Sequence, residues 1–308
     1  MTVLLIGGTG LLGGAIAAEL VRQNYPVRAL VRTGKGAARL RGLGIELEVG
    51  DVRDARALRR AFRDQPTVMT TAQGNPLSRS NPMRQIDGSA NQHMIVAARK
   101  AGVPRFVFVS ALKADQGAAT VPQLAYKFAA ENVLQASGIP FTILRPSSFQ
   151  ETFDDGFAPF KRIIELAGVG LTMGSGRGRH SFVAVRDVAR AAVLSLAHPE
   201  ALGQIVPVGG PDDLSYREAY RQIAKITGRR VVVLPAPRIA LKLGGLLATP
   251  VLPELGDFFA FFEFFDRHGY TCATPEWLVR ALGRRRSFDE AVRDFYGVNQ
   301  PGVGLSAA

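Results

Sequence analysis

Cysteine is almost absent from these 308 residues: Cys272 stands alone, so no intrachain disulfide can form. No cluster of Cys and His has metal-ligand spacing, and no bound metal is expected. Apolar stretches never reach the roughly 18 residues that a membrane-spanning helix needs, which excludes that class. Met1 leads straight into an apolar strand with no cationic segment or cleavage site before it, so the expected location is the cytoplasm. Internal repeats and low-complexity linkers are also missing. Acidic residues are missing between Glu19 and Glu46, a gap that holds Arg28, Arg32, Lys35, Arg39 and Arg41.

What is present is an ordinary globular composition, 47% hydrophobic and 21% charged, with enough chain for one α/β domain and a smaller lobe. The net charge of +12 would attract anionic polymers, yet the arginines are scattered and no helix-turn-helix or RNA-binding signature accompanies them. A specific nucleic-acid partner is therefore not expected, and the charge is assigned to solubility and phosphate recognition.

The most informative segment is Val3-Leu4-Leu5-Ile6-Gly7-Gly8-Thr9-Gly10-Leu11-Leu12-Gly13, an apolar strand entering glycines spaced for a dinucleotide pyrophosphate. Gly7 permits the tight turn, Gly10 lets the phosphates approach, and Gly13 allows close helix packing, leaving a helix N-terminus aimed at the anion. Ala15 to Leu20 reads as that helix and Pro26 to Val31 as a second buried strand, completing a βαβ unit. An NAD site places a carboxylate after this second strand, whereas this chain has Arg32, a residue suited to a 2′-phosphate. The predicted cofactor is NADP(H). Arg39 and Arg41 read as a solvated helix face.

Strand and helix then alternate. Strands are predicted at Ile45–Val49, Thr67–Thr71, Arg105–Val109 and Phe141–Leu144, with helices at Asp54–Arg63, Asn81–Ala101 and Pro122–Ala136. Right-handed crossovers between them give a Rossmann-type doubly wound parallel sheet, with ligands along the strand carboxyl ends. Residues 1–150 form the expected dinucleotide-binding domain. Residues 151–308 form a smaller α/β substrate lobe with C-terminal helices, and segments near 181–210 are expected to return to the sheet. Predicted elements there are a helix near Phe157–Ala167, a strand near Ser181–Val185, a helix at Asp187–Ala197 and a strand at Ile205–Val208. Capping boxes at Ser215 with Glu218 and Ser287 with Glu290, and Thr274 before Pro275, mark later helix starts.

The glycine segment resembles the atypical short-chain dehydrogenase/reductases, in particular the NmrA-like, NAD(P)-binding branch. The other matching segments are Gly50-Asp51-Val52-Arg53-Asp54, Phe106-Val107-Phe108-Val109-Ser110, Tyr126-Lys127 with Glu131, Ile143-Leu144-Arg145-Pro146 and Phe182-Val183-Ala184-Val185-Arg186-Asp187-Val188-Ala189. The resemblance covers most of residues 1–235. It implies a catalytic Ser, Tyr and Lys, with the Lys four residues after the Tyr. Ser110 and Lys127 match, whereas Gln123 occupies the tyrosine position and cannot give a proton as a phenol does. Tyr126 lies about 100° around the helix from Lys127 and does not substitute by position. Glu131 stands one turn beyond Lys127, in reach of an ion pair with it.

By the same resemblance, Gly7, Thr9, Gly10, Leu11, Leu12 and Gly13 hold the pyrophosphate and Arg32 the 2′-phosphate. Asp51 and Val52 border the adenine, and Thr71, Ala72 and Gln73 the ribose and pyrophosphate. Lys127 holds the nicotinamide ribose, and Pro146, Ser147, Ser148 and Phe149 wall the nicotinamide. His180 is the candidate for the missing proton donor, or else a loop histidine. The activity implied is hydride transfer from NADPH to a hydrophobic carbonyl, quinone or activated alkene. The alternative is a non-catalytic NADP(H)-binding sensor or accessory subunit. Six phenylalanines within Phe258–Phe265 and the leucines before them (Leu241, Leu243, Leu246, Leu247, Leu252, with Val251) form core, a homodimer contact, a hydrophobic substrate wall or a peripheral membrane face.

Overall fold

A computed structural model describes residues 1–32, 35–64, 66–76, 78–154, 160–236 and 254–298. Four short strands open the chain: β1 (Val3–Ile6), β2 (Val27–Val31), β3 (Glu46–Val49) and β4 (Thr67–Thr70). They are followed by β5 (Phe106–Val109), β6 (Phe141–Pro146), β7 (Val169–Met173), β8 (Arg179–Phe182), β9 (Gln204–Val208), β10 (Asp212–Ser215) and β11 (Val232–Ala236). Seven of these build a central sheet in the order β3-β2-β1-β4-β5-β6-β9, every neighbouring pair parallel. The direction of progression reverses between β1 and β4, which opens a crevice beyond their carboxyl ends.

Buried parallel strands must be apolar on both faces, and β1 shows why. Val3 and Leu5 point into a core shared with the helices Leu11–Arg22, Val185–Leu194 and Glu276–Leu282. Leu4 and Ile6 point into the opposite core, with the helices Ala55–Ala61, Asn91–Lys100 and Pro122–Ala136. Each such side chain contributes about 1.5–3 kcal/mol by leaving water.

The predicted helix over 81–101 is not uniform. It begins as Met83–Gln85, widens into a π turn at Ile86–Ala90, and resumes as Asn91–Lys100. π turns insert one residue into the helical register and occur often at functional sites.

Of the segment near 181–210, only β9 joins the central sheet. The other strand, β8, pairs antiparallel with β10 in a separate two-stranded sheet, because Ser181 and His180 lie in register with Asp213 and Leu214. A second small sheet pairs β7 with β11. Around them the helices Phe160–Ala167, Tyr216–Thr227 and Phe288–Tyr296 enclose a core of Phe153, Phe182, Tyr220 and Phe288. Both predicted capping boxes are formed. Among the described residues, no helix is long and apolar enough to cross a membrane.

Candidate cofactor and active site

The glycine turn after β1 is built as its residue types require. Gly7 adopts φ +84°, and a Cβ there would lie 2.6 Å from Thr71 Oγ1. A Cβ on Gly13 would overlap the Gly7 carbonyl oxygen, so the helix Leu11–Arg22 can pack this closely only without one. Gly10 meets nothing nearer than 3.4 Å, which leaves its outer side open. That helix has no side-chain cap and no acidic residue in its first turn, so the amides of Leu11, Leu12 and Gly13 remain available to an anion. Thr71 closes the turn from β4, its hydroxyl donating to Gly7 O at 3.3 Å. This arrangement fits a dinucleotide pyrophosphate.

Arg32, exposed just past β2, donates to Asn81 Oδ1 at 3.3 Å. Arg39 is exposed, as its reading as a solvated residue expects, and its guanidinium lies where a side chain on Gly14 would be and reaches Gly10 O at 3.4 Å. Asp51, after β3, is gripped by Arg53 through Nε at 2.9 Å and Nη2 at 2.7 Å, and this cation holds its carboxyl below the usual range. Val52 packs at the edge of the core that Ala72 shares. Gln73 accepts from Asn81 Nδ2 at 3.4 Å through its carbonyl. Asn81 thus touches both the Arg32 side chain and the loop that follows β4.

Lys127 is 3% exposed, and its partner is not Glu131. Its Nζ lies 2.8 Å from Asp87 Oδ1, while Asp87 Oδ2 accepts the Gly74 N–H at 2.8 Å. Glu131 instead takes a bidentate pair from Arg145 on β6, at 3.0 Å and 2.6 Å, a partner that an inspection of one helix alone does not reveal. Asp87 was missed by sequence reasoning. A lone acidic residue on the apolar side of a helix, beside Gly88, was the available signal. The π turn carries that carboxylate, which ties Lys127 to the loop after β4.

Ser110 follows β5 and is buried, and its Oγ has no hydrogen-bond partner among the described residues. Gln123 Oε1 is in the same condition. They are two of twelve buried side-chain atoms without a hydrogen-bond partner among the described residues, so the fit to a dinucleotide rests on the glycine turn and the open helix N-terminus. Tyr126 faces elsewhere, lining an open groove with Arg84, Gln85, Gly88 and Ser89, and burial raises its pKa.

Beyond β6, Pro146 O accepts from Tyr270, Ser147 Oγ donates to Tyr270 O at 2.6 Å, and Phe149 bridges to Val183. Ser148 Oγ lies 2.8 Å from His180 Nδ1. His180 is buried against Phe182 and Tyr216, and this desolvation lowers its pKa to about 3. At neutral pH the ring is therefore uncharged, which removes the imidazolium as a proton donor and leaves a neutral partner for Ser148.

The phenylalanine run forms the helix Leu255–His268. Phe265 is buried among Leu112, Val121, Leu124 and Tyr270, with Phe261 and Phe264 alongside. Phe262 lines a small cavity with His180, Tyr216 and Asp266. Glu254 accepts the Met83 and Arg84 N–H groups at 2.6 Å and 2.8 Å, and Lys113 Nζ donates to His268 O at 2.7 Å. The helix is thereby fastened across the loops that follow β4 and β5. The residues Leu241, Leu243, Leu246, Leu247, Val251 and Leu252, with the Phe258 side chain, lie outside the described residues. No group of His, Cys, Asp and Glu among the described residues is arranged to hold a metal ion.

The chain belongs to the NAD(P)H-binding family, which residues 7–199 match. One relative, the photosystem II assembly factor Ycf39 of Trieres chinensis, is 28% identical over 296 residues, 96% of this chain and 86% of that protein. The NAD(P)H azoreductase of Xenophilus azovorans is 29% identical over 231 residues, 74% of this chain and 75% of the relative. The NADPH-dependent quinone oxidoreductase QOR2 of Escherichia coli, solved with NADPH, superposes with a TM-score of 0.79 at 19% identity, covering 96% of this chain and 99% of that one. The Citrobacter triphenylmethane reductase complexed with NADP(H) gives 0.77 at 21% identity, over 95% and 99%. At these identities the structural likeness shows a shared fold.

Proposed function

We propose that the protein is an NADPH-dependent reductase that passes a hydride to a hydrophobic carbonyl, quinone or activated alkene. The observation that carries this reading is the buried Lys127–Asp87 pair, joined to the loop after β4 through Gly74 and accompanied by the orphaned Ser110 hydroxyl. In this reading the amides after Gly10 hold the pyrophosphate, and Arg32 with Arg39 meets a 2′-phosphate, which favours NADPH over NADH. Lys127, its ammonium held by Asp87, orients the nicotinamide ribose. Ser110 directs a hydroxyl toward the acceptor, and Ser148, fixed by His180, supports the opposite wall. The bound nucleotide supplies the hydride. The azoreductase and quinone oxidoreductase relatives are consistent with a conjugated acceptor, as is the phenylalanine helix beside the site.

A second reading, NADP(H) binding without turnover, is favoured by Gln123 and by the assembly factor that matches 96% of the chain. Consumption of NADPH with a panel of quinones, activated alkenes and azo compounds separates the two. Turnover supports the reductase; tight nucleotide binding with every acceptor left unreduced overturns it in favour of the second reading.

A further inference from the structure

The small parallel sheet of β7 and β11 buries one face and leaves the other in solvent. On the inner face a Cβ at Gly170 would meet the Tyr220 ring at 2.7 Å, and Val233 packs against the same core. Side chains alternate along a strand, and the register pairs Val232 with Val169 and Leu234 with Leu171, so these four aliphatic residues share the outer face. Leu171, Val232 and Leu234 are 37%, 45% and 46% exposed there. Leu166, 82% exposed, stands near the end of the helix Phe160–Ala167, where the Glu165 carbonyl accepts from Arg229 Nη1 at 3.5 Å. Arg230 lies at the same end of the sheet: its carbonyl oxygen is 2.9 Å from where a Cβ on Gly168 would stand, and the Val232 N–H donates to Gly168 O at 2.7 Å. Single exposed aliphatic residues are ordinary, whereas a set in register on one sheet face marks a surface that meets a partner.

The charge carried by this part of the chain has one sign. Between Glu218 and Glu254 there is no Asp or Glu, while the same stretch holds Arg221, Lys225, Arg229, Arg230, Arg238 and Lys242. Arg229 and Arg230 are exposed at the entry to β11, and exposed Glu165, on the neighbouring helix, brings a single opposing charge. A second copy of the chain would present the same cations and be repelled. Nucleic acid would attract them, yet the outer face holds no aromatic ring on which a base could stack. A bilayer interface supplies both parts, anionic headgroups for the cations and acyl chains for the leucines and valines. We propose that the outer face of the β7–β11 sheet docks the protein on an anionic lipid surface. Leu171, Val232 and Leu234 enter the headgroup boundary, and Arg229 and Arg230 meet the lipid phosphates. The contact is peripheral and stands apart from the reductase reading.

The test is flotation of the full chain with two kinds of vesicle, phosphatidylcholine alone and an equimolar mixture of phosphatidylcholine with phosphatidylglycerol. Wild type is compared with Val232→Glu/Leu234→Glu and with Arg229→Glu/Arg230→Glu, and Tm and the oligomeric state are read without lipid. Wild type is expected to bind the mixed vesicles at least about tenfold more tightly than phosphatidylcholine, less so as salt is raised. The aliphatic pair of substitutions should weaken binding by about tenfold or more, and the cationic pair by about 25-fold or more, since each cation at such a surface is worth about fivefold. Tm should stay within about 2 °C of wild type in both, because the altered side chains lie in solvent. Failure to bind either vesicle, or equal binding to both, overturns the proposal. Binding retained by both variants places the contact elsewhere and overturns it as well. A clear fall in Tm for Val232→Glu/Leu234→Glu means that the chain itself covers this face, and a wild-type dimer that this variant dissolves means that a second copy does; either result overturns the lipid assignment.

Discussion

Asp87→Asn isolates the ion pair on which the site is built. The wild-type carboxylate is fully buried, 2.8 Å from the Lys127 ammonium, and its other oxygen accepts the Gly74 N–H. Asparagine keeps the shape and an acceptor for Gly74 but leaves a buried ammonium with no counter-charge. Breaking a buried pair from one side costs about 3–5 kcal/mol, and the retained Gly74 contact places this variant near the lower end. For a chain of this size about 3 kcal/mol corresponds to a fall in Tm of roughly 6–12 °C, using about 2–4 °C per kcal/mol. Removing both partners in Asp87→Leu/Lys127→Met leaves no stranded charge, so the double variant is expected within about 2 kcal/mol of wild type and above Asp87→Asn. Urea and thermal unfolding of Asp87→Leu, Lys127→Met and the double variant give the coupling energy. An Asp87→Asn protein within about 0.5 kcal/mol of wild type would refute the claim that Lys127 depends on this carboxylate.

Gly13→Ala places a methyl group on the Gly7 carbonyl oxygen, so it should destabilise by about 1–3 kcal/mol and weaken NADPH, as melting and titration would show. Glu254→Ala strips the acceptor from two amides at the start of the helix after β4; a loss of about 1–2 kcal/mol is expected in urea unfolding, and none would mean that the clasp is idle. Burial pushes the Cys272 thiol up to about 11, so the folded protein holds it protonated at neutral pH. Its alkylation by iodoacetamide should stay slow near pH 8 and rise only as the pH approaches that value; fast labelling of the folded protein near pH 8 would contradict the burial.

The sheet and its glycine turn were legible because each depends on local chemistry: apolar runs of strand length, glycines with separate steric duties, and helix starts announced by Ser with Glu three residues on. The Asp87 site was not legible, because a π turn arises from a one-residue insertion that leaves the 3.6-residue pattern almost unchanged. The partner of Glu131 was misread for a related reason. Spacing within one helix points to Lys127, whereas Arg145 arrives from a strand that only the folded sheet brings near. Arg39 is solvated as read, but its guanidinium's reach over Gly14 depends on how two helices pack, which spacing along the chain does not give. His180 depended wholly on tertiary burial, which decides its charge and which no spacing predicts.

The most direct test of the central claim is a parallel fluorescence titration of wild type and Arg32→Ala with NADPH and NADH. The account predicts that wild type binds NADPH more tightly than NADH and that the variant loses much of this preference, since one cation facing the 2′-phosphate is worth about 1.5–3 kcal/mol. Equal affinity for the two nucleotides, or no binding of either, would contradict it.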